Sequence, residues 1–173
     1  MRDYLKEGFI FALLYFPFIL FLLVQVQIST YDYSYAICSK LPFVCPGPEL
    51  TLAVIKPDGM SHENQIMEII VKNGFKVIQD KTLQLSEEEV AVWYADKHEA
   101  PYYRDLVNYL TRGPIRVIVL SRVYAISGLR KLIGPTKPQP NTIRGLYGTN
   151  VQENAIHASD SKAAARREIS FFF

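Results

Sequence analysis

Apolar and polar residues are arranged differently in two parts of the chain. From Gly8 to Ile28 the sequence runs for 21 residues without a charged side chain, and Phe, Leu, Ile and Val dominate it. About 20 apolar residues are enough to cross the hydrocarbon core of a membrane as a helix. After residue 48, short apolar segments are separated by polar turns, which is typical of a globular domain. The pattern predicts an N-terminal hydrophobic segment with a linker, 1–48, and a globular domain, 49–173.

The apolar run 8–28 is interpreted as an uncleaved transmembrane helix that anchors the protein to a membrane. It is longer than the apolar core of a typical signal peptide, and no convincing small-x-small cleavage site follows it. Pro17 lies within the run, which membrane helices tolerate. A cleaved or organellar targeting segment and a wrongly joined first exon are the alternatives. The protein is expected at a membrane if the segment is retained, and in the cytoplasm or mitochondrion otherwise.

The two cysteines of the chain, Cys38 and Cys45, both precede the globular domain. They form a disulfide if their compartment is oxidising, and two free thiols are the alternative. No second pair of ligands accompanies them, so a zinc site is not expected. Thiol chemistry is excluded from the globular domain, because that domain contains no cysteine.

The globular part alternates between strand-like and helix-like patterns. Its first strand is an apolar run that stops at the turn sequence Lys56-Pro57-Asp58-Gly59, where proline and glycine set the backbone. Ser86 followed by Glu89 is a capping box that begins a helix. The predicted strands are 50–55, 75–85, 115–120 and a short one through Ala155 and Ile156. Three predicted helices begin after Ser61, after Ser86 and at Pro101. A fourth spans Ala125–Ile133 and is followed by a loop through Thr142. The last helix is Ala163–Ile169, which Asp160 or Ser161 caps.

The order of these elements is strand, helix, strand, two helices, strand, helix, loop, strand, helix. It predicts an α+β fold with an antiparallel or mixed four-stranded sheet and helices packed on one face. About 125 residues are enough to bury a single sizeable core.

The charge balance narrows the class of partner. Residues 49–173 carry 16 basic and 14 acidic side chains, which accounts for the net charge of +2. A field this weak does not predict binding to nucleic acid, so no specific nucleic-acid partner is expected. It is compatible with local binding of anionic ligands.

Candidate chemistry centres on His157, which lies in the segment Asn154-Ala155-Ile156-His157-Ala158-Ser159-Asp160-Ser161. The unperturbed imidazole pKa of about 6.5 makes the neutral, nucleophilic ring available near pH 7. One ring nitrogen attacks while the other holds its proton on an acceptor. Glu168, eleven residues further on in the next helix, is a candidate acceptor; an exposed helix glutamate is the alternative. The other histidines, His62 and His98, have charged neighbours and are interpreted as surface residues.

Basic residues at the ends of predicted elements indicate an anionic substrate. Lys56 ends the first strand, Arg130 precedes a helix end, and Arg144 follows the proline-rich loop that contains Thr136. Such groups hold phosphate oxygens, and together they would clamp a polyphosphate whose oxygens Mg²⁺ bridges. Solvated surface charges are the alternative for each one taken singly. Spacing alone therefore indicates a histidine nucleophile near scattered cations.

Four motifs in register identify a family resemblance. From about Leu50 to Phe173, the chain resembles the nucleoside diphosphate kinases. The segment around His157 fits that family's active-site motif at every constrained position. The other matching segments are Ala53-Val54-Ile55-Lys56-Pro57-Asp58-Gly59, Arg112-Gly113-Pro114 and Thr142-Ile143-Arg144-Gly145.

The resemblance implies a fold, a reaction and partners. The fold is a ferredoxin-like αβ sandwich with a four-stranded antiparallel sheet. The reaction is a ping-pong transfer in which His157 takes the γ-phosphate of ATP or another nucleoside triphosphate and passes it to a nucleoside diphosphate. The implied cofactor is Mg²⁺, which is held by the nucleotide phosphates rather than by protein ligands. A homo-oligomer is also implied.

The resemblance assigns a role to each matching residue. Glu168 orients the imidazole and Ser159 is its hydrogen-bonding partner. Tyr94 helps to place Lys56 and the histidine, and Tyr102 stacks on the base with Leu106 beside it. The positions that bind phosphate and sugar are Lys56, Arg130, Thr136, Arg144 and Asn154.

The chain resembles a divergent subgroup of the family in the wording of three segments, Ile133-Gly134-Pro135-Thr136, Leu146-Tyr147-Gly148-Thr149 and Ala165-Arg166-Arg167-Glu168-Ile169. It also departs from the family's pattern at three places. The loop from Gly134 to Arg144 is shorter than usual, Ala158 replaces the commoner glycine, and the chain stops at Phe173 without a C-terminal extension. The loop contributes to subunit contacts and to the nucleotide site in this family. A weakly active or inactive nucleotide-binding scaffold that acts through partners is therefore the alternative function.

Overall fold

The computed structural model describes residues 46–173. The proposed anchor at 8–28, its helix and the two cysteines lie outside the described residues. Within 46–173, no helix has both the length and the apolar character needed to span a membrane.

The described residues form four strands, six α-helices and two 3₁₀ turns. The strands are β1 (Glu49–Ile55), β2 (Lys76–Leu83), β3 (Ile115–Arg122) and β4 (Ile156–Ala158). The helices are α1 (Glu63–Lys72), α2 (Glu87–Trp93), α3 (Tyr103–Thr111), α4 (Ala125–Ile133), α5 (Ile143–Tyr147) and α6 (Lys162–Phe172). The 3₁₀ turns are Met60–His62 and Ala95–Lys97.

The sheet has the order β2-β3-β1-β4, and every neighbouring pair is antiparallel. This confirms the predicted four-stranded antiparallel sheet with helices. Strand β1 is central, and Val54 on it pairs with both Val117 of β3 and His157 of β4. The sheet therefore carries His157 on the strand next to the one that ends before Lys56.

The predicted placement of the helices on one face of the sheet is wrong, because helices cover both faces. Alternate residues of a strand point to opposite faces, and β1 is fully buried on both from Leu52 to Ile55. One face packs against α1 and α4, and the other packs against α2, α3 and the last turn of α6. A continuous apolar run is the pattern expected of a strand buried on both sides.

The helix starts predicted from capping residues are confirmed at Ser86 and Ser161 and are wrong at Ser61. The capping box at Ser86 is present, with both reciprocal hydrogen bonds to Glu89. Ser161 caps α6 by accepting a hydrogen bond from the Ala164 N–H. Ser61, however, does not cap α1: it lies inside a 3₁₀ turn, and His62 precedes the helix without a side-chain cap. Strand β2 is also shorter than the predicted 75–85.

Candidate active site

A cleft of about 680 Å³ lies beside the β1–β4 side of the sheet. It gathers nine of the eleven residues singled out from the sequence. Those nine are Lys56, Tyr94, Tyr102, Leu106, Arg130, Thr136, Arg144, Asn154 and His157. The other two, Ser159 and Glu168, contact each other and lie behind the histidine ring.

His157 is held at one ring nitrogen. Its Nε2 lies 3.1 Å from Oε1 of Glu168, and Ser159 Oγ donates to Oε2 of the same carboxylate over 2.5 Å. Ser159 also accepts from the Leu52 N–H of β1 at 3.3 Å. An ionised carboxylate only accepts hydrogen bonds, so Nε2 carries the proton and Nδ1 keeps its lone pair.

The Glu168 carboxyl is buried, with 6 % of its surface exposed. Burial by itself raises a carboxyl pKa. Hydrogen bonds from His157 and Ser159 and the positive charge of Arg167 outweigh it, so the pKa of Glu168 is lowered from its ordinary value. The group is therefore ionised at neutral pH, which suits a partner for an imidazole that gains positive character.

Lys56 follows β1 and reaches the cleft with only 6 % of its surface exposed. Its Nζ donates to Asn154 Oδ1 at 2.8 Å and more weakly to the Gln152 carbonyl at 3.4 Å. Burial, helped by the charge of Arg144 and opposed by Asp58, lowers the pKa of Lys56 to about 8. An anion in the cleft would reverse this shift, because it stabilises the charged amine.

Arg144 is buried and anchored to the backbone. Its Nε and Nη2 both donate to the Ile156 carbonyl, and Nη1 donates to the Gly134 carbonyl at 3.0 Å. Burial and the nearby charge of Arg130 lower its pKa to about 10. A guanidinium has five N–H donors, so two remain for a ligand. Arg130 itself lines the cleft, with a long 3.5 Å contact to the Ala158 carbonyl.

The turn after β1 and the segment before β4 are joined closely. The Lys56 N–H donates to the Ala155 carbonyl at 2.9 Å, and the Ala155 N–H donates to Asp58 Oδ2 at 2.8 Å. The Tyr109 hydroxyl donates to the other oxygen of Asp58. A Cβ on Gly59 would lie 2.5 Å from the Ala155 carbonyl oxygen, so this close approach requires glycine. The junction fixes Lys56 relative to the strand that carries His157.

The outer part of the cleft is aromatic and apolar. Tyr102, 50 % exposed, precedes α3, and Leu106 lies one turn further along it. Thr136 is exposed in the loop between α4 and α5, and its carbonyl accepts a long hydrogen bond from Asn154. Burial and the charge of Glu168 raise the pKa of Tyr94. The loop between α4 and α5 therefore brings Thr136 into the cleft.

Five further residues belong to the site but were not singled out from the sequence. Lys97, Asn150, Val151 and Gln152 line the cleft, and Trp93 lies edge-on to the His157 ring. Val151 and Gln152 lie three and two residues before Asn154, where the motif around His157 begins, so their closeness to the motif is a usable signal. Lys97 and Trp93 arrive through the packing of α2 and α3, and no local pattern marks them.

The whole described domain matches one family model, "Nucleoside diphosphate kinase", over residues 49–173. A nucleoside diphosphate kinase from Moorella thermoacetica is 38 % identical over 130 residues, which cover 72 % of this chain and 94 % of that protein. The human "nucleoside diphosphate kinase homolog 5" is also 38 % identical, over 131 residues that cover 72 % of this chain. Those residues span 62 % of the human protein's length.

Solved structures agree with the sequence relatives. A nucleoside diphosphate kinase from Aquifex aeolicus superposes with a TM-score of 0.70 at 35 % identity, covering 73 % of this chain and 96 % of that one. The enzyme from Halobacterium salinarum in complex with CDP also gives 0.70, at 33 % identity, covering 72 % and 87 %. By its sequence match, its fold and its relatives, this chain belongs to the nucleoside diphosphate kinase family.

Proposed function

We propose that the domain is a nucleoside diphosphate kinase that moves the γ-phosphate of a nucleoside triphosphate such as ATP to a nucleoside diphosphate through phospho-His157. The observation that carries the proposal is the state of the imidazole ring. Its Nε2 is bound to the buried Glu168 carboxylate, while the ring lines a cleft of cationic side chains. A histidine arranged in this way is a preorganised nucleophile.

In the first half-reaction, the Nδ1 lone pair of His157 attacks the γ-phosphorus. The N–P bond forms as the bond between that phosphorus and the β-γ bridging oxygen breaks, and the nucleoside diphosphate leaves with the electron pair. Positive charge develops on the ring, and the Glu168 carboxylate stabilises it through the Nε2 proton. Catalysis of this kind consists of positioning and electrostatic stabilisation.

The second half-reaction reverses the first with a different acceptor. A terminal phosphate oxygen of the incoming diphosphate attacks the phosphohistidine, and the N–P bond breaks to restore neutral His157. The same cleft serves both nucleotides, because Tyr102 offers a ring face on which any base can stack.

The cleft fits a nucleotide that brings its own metal ion. Its lining contains four cations, Lys56, Lys97, Arg130 and Arg144, and no carboxylate. Among the described residues no group of three His, Cys, Asp or Glu side chains could hold a metal. We therefore propose that Mg²⁺ is held by phosphate oxygens, where it neutralises charge on the transferring group. Arg130, Arg144 and Lys56 would bind the remaining phosphate oxygens and the sugar.

A phosphoenzyme experiment tests the proposal. The full-length protein, solubilised in a mild detergent, is mixed with [γ-³²P]ATP and Mg²⁺ and then treated with acid or alkali. The expected product is a label that is lost in acid, survives alkali, is absent from His157→Ala, and is discharged by added GDP or CDP. If saturable nucleotide binding occurs without labelling, the alternative of an inactive nucleotide-binding scaffold is correct.

The family also makes a homo-oligomer the expected assembly. We propose that the full-length protein forms one, and sedimentation velocity across a range of concentrations measures the state directly. A species that remains monomeric at the highest concentration would contradict this part of the proposal.

A further inference from the structure

We propose that Trp93 is a positioning residue that fixes the tilt of the His157 ring for attack, and that Phe172 in the last turn of the chain holds Trp93 in place. This inference rests on the proposed phosphotransfer through His157. It concerns how the ring is oriented rather than which atoms react.

The three aromatic rings form a chain of perpendicular contacts. The Trp93 and His157 ring centroids are 5.3 Å apart at an interplanar angle of 83°. Those of Trp93 and Phe172 are 5.0 Å apart at 82°. Both are edge-to-face arrangements that aromatic rings prefer. Phe172 is 5 % exposed and also packs against Phe171 at 4.7 Å, so it is a fixed support.

The bond to Glu168 does not by itself fix the imidazole. It constrains one atom, Nε2, and the χ2 torsion of histidine has a broad energy minimum. The ring can therefore rotate about χ2 while Nε2 stays close to Glu168, and this rotation moves Nδ1 away from a phosphorus atom in the cleft. The rigid indole of Trp93 contacts the imidazole at a second place and opposes this rotation.

One helix supplies both constraints. Glu168 and Phe172 are four residues apart on α6, so they lie on the same face of the helix. Glu168 contacts His157 directly, and Phe172 acts through Trp93 at the end of α2. Movement of the last turn of α6 would therefore disturb the nucleophile in two ways at once.

The test separates positioning from folding and from nucleotide binding. Trp93→Ala, Trp93→Phe and Phe172→Leu are compared with Val92→Ala, a control at the adjacent α2 position, where the side chain is 65 % exposed. Quench-flow measures the phosphorylation rate at saturating ATP, and equilibrium dialysis measures ADP affinity, both with full-length protein and Mg²⁺. Trp93→Ala should slow phosphorylation by at least about tenfold, since small misplacements of reacting groups are costly. ADP affinity should change by less than about twofold, and Trp93→Phe should recover most of the rate. Phe172→Leu should slow phosphorylation less than Trp93→Ala does, and a rate equal to that of Val92→Ala would refute the supporting role of Phe172.

Nitrogen NMR adds a signature that lost stability would not produce. The chain has three histidines, so selective ¹⁵N-histidine labelling gives three pairs of ring-nitrogen signals, and His157→Ala assigns one pair. In Trp93→Ala the His157 signals should broaden through ring motion while Nε2 keeps its proton. In Val92→Ala they should be unchanged.

The outcomes that overturn the inference are distinct. If the wild type is phosphorylated and Trp93→Ala phosphorylates at the same rate, Trp93 has no positioning role. Equal losses of rate in Trp93→Ala and Trp93→Phe, or a loss of ADP affinity as large as the loss of rate, also refute it. If the wild type forms no phosphohistidine, the proposed function fails first, and the positioning role fails with it.

Discussion

Glu168→Gln removes one negative charge from the site while keeping the size of the side chain. The carboxylate now accepts from two donors, His157 Nε2 at one oxygen and Ser159 Oγ at the other. Glutamine has one carbonyl oxygen, so one of these two donors must face the amide nitrogen. The substitution therefore weakens the hold on the ring and removes the charge opposite the developing imidazolium.

The expected loss follows from the strength of the hydrogen bond. A hydrogen bond to a charged group contributes about 1.5–3 kcal/mol, and each 1.36 kcal/mol corresponds to about a tenfold change in rate. The attraction between the Glu168 carboxylate and the imidazole strengthens as positive charge develops on the ring. Most of this energy therefore stabilises the transition state rather than the bound nucleotide. Glu168→Gln should therefore slow phosphorylation of His157 by about 10- to 150-fold, with little change in nucleotide affinity.

Rapid quenching with labelled ATP at saturation measures this rate directly. Because hydrogen bonds and charge lower the pKa of Glu168 from its ordinary value, the group stays ionised from about pH 6 to 9. The ratio of wild-type to variant rates should be constant over that range. A loss smaller than about twofold, or one that disappears at higher pH, would refute the charged-partner role of Glu168.

Three further predictions follow from the geometry. The pKa of Lys56 is about 8, so part of the protein carries a neutral Lys56 amine between about pH 8 and 9, and nucleotide binding should then take up protons and weaken as the pH rises. Titration calorimetry in buffers of different ionisation enthalpy measures this proton uptake. Lys56→Met should abolish it. Tyr102→Ala should weaken ADP binding by about 5- to 150-fold, the equivalent of about 1–3 kcal/mol of stacking, and unchanged affinity in dialysis would contradict the stacking role. A Cβ at position 59 would lie 2.5 Å from a backbone oxygen, whereas a Cβ at Gly113 would meet nothing closer than 3.7 Å. Gly59→Ala should therefore lower the free energy of unfolding, measured by urea denaturation, by about 1–3 kcal/mol. The matched control Gly113→Ala should lower it much less.

The sequence predicted elements best where one local cause decides them. The reciprocal hydrogen bonds of Ser86 and Glu89 need only neighbouring residues, so that helix start was correct. Helix α5 was not predicted, because five residues are too few to show a helical period. It is nevertheless capped by Thr142, whose hydroxyl accepts from the Gly145 N–H. A single capping threonine after a proline-rich segment is too weak a signal to predict so short a helix.

The site was predictable only as far as motifs extend. Spacing left Glu168 as an exposed glutamate or a partner of His157, and the family motif was needed to favour the partner. Trp93 could not be predicted in this way, because its contact with His157 depends on how α2 packs beside the sheet. Coverage of both sheet faces was readable in principle from the unbroken apolar run of β1, whose residues Leu52 to Ile55 are fully buried.

Strand β4 has only three residues and pairs with β1 through three residue positions, at the end of the described strand order. Local opening costs least where few hydrogen bonds and contacts are lost. His157 is the middle residue of β4, but side chains from outside the strand also hold its neighbours: Arg144 donates to the Ile156 carbonyl, and Asp58 accepts from the Ala155 N–H. Opening β4 therefore breaks buried contacts as well as its short ladder with β1. On warming, the proposed phosphotransfer activity and the circular dichroism of the domain should therefore be lost in one transition, and activity that fades several degrees earlier would show that β4 opens independently.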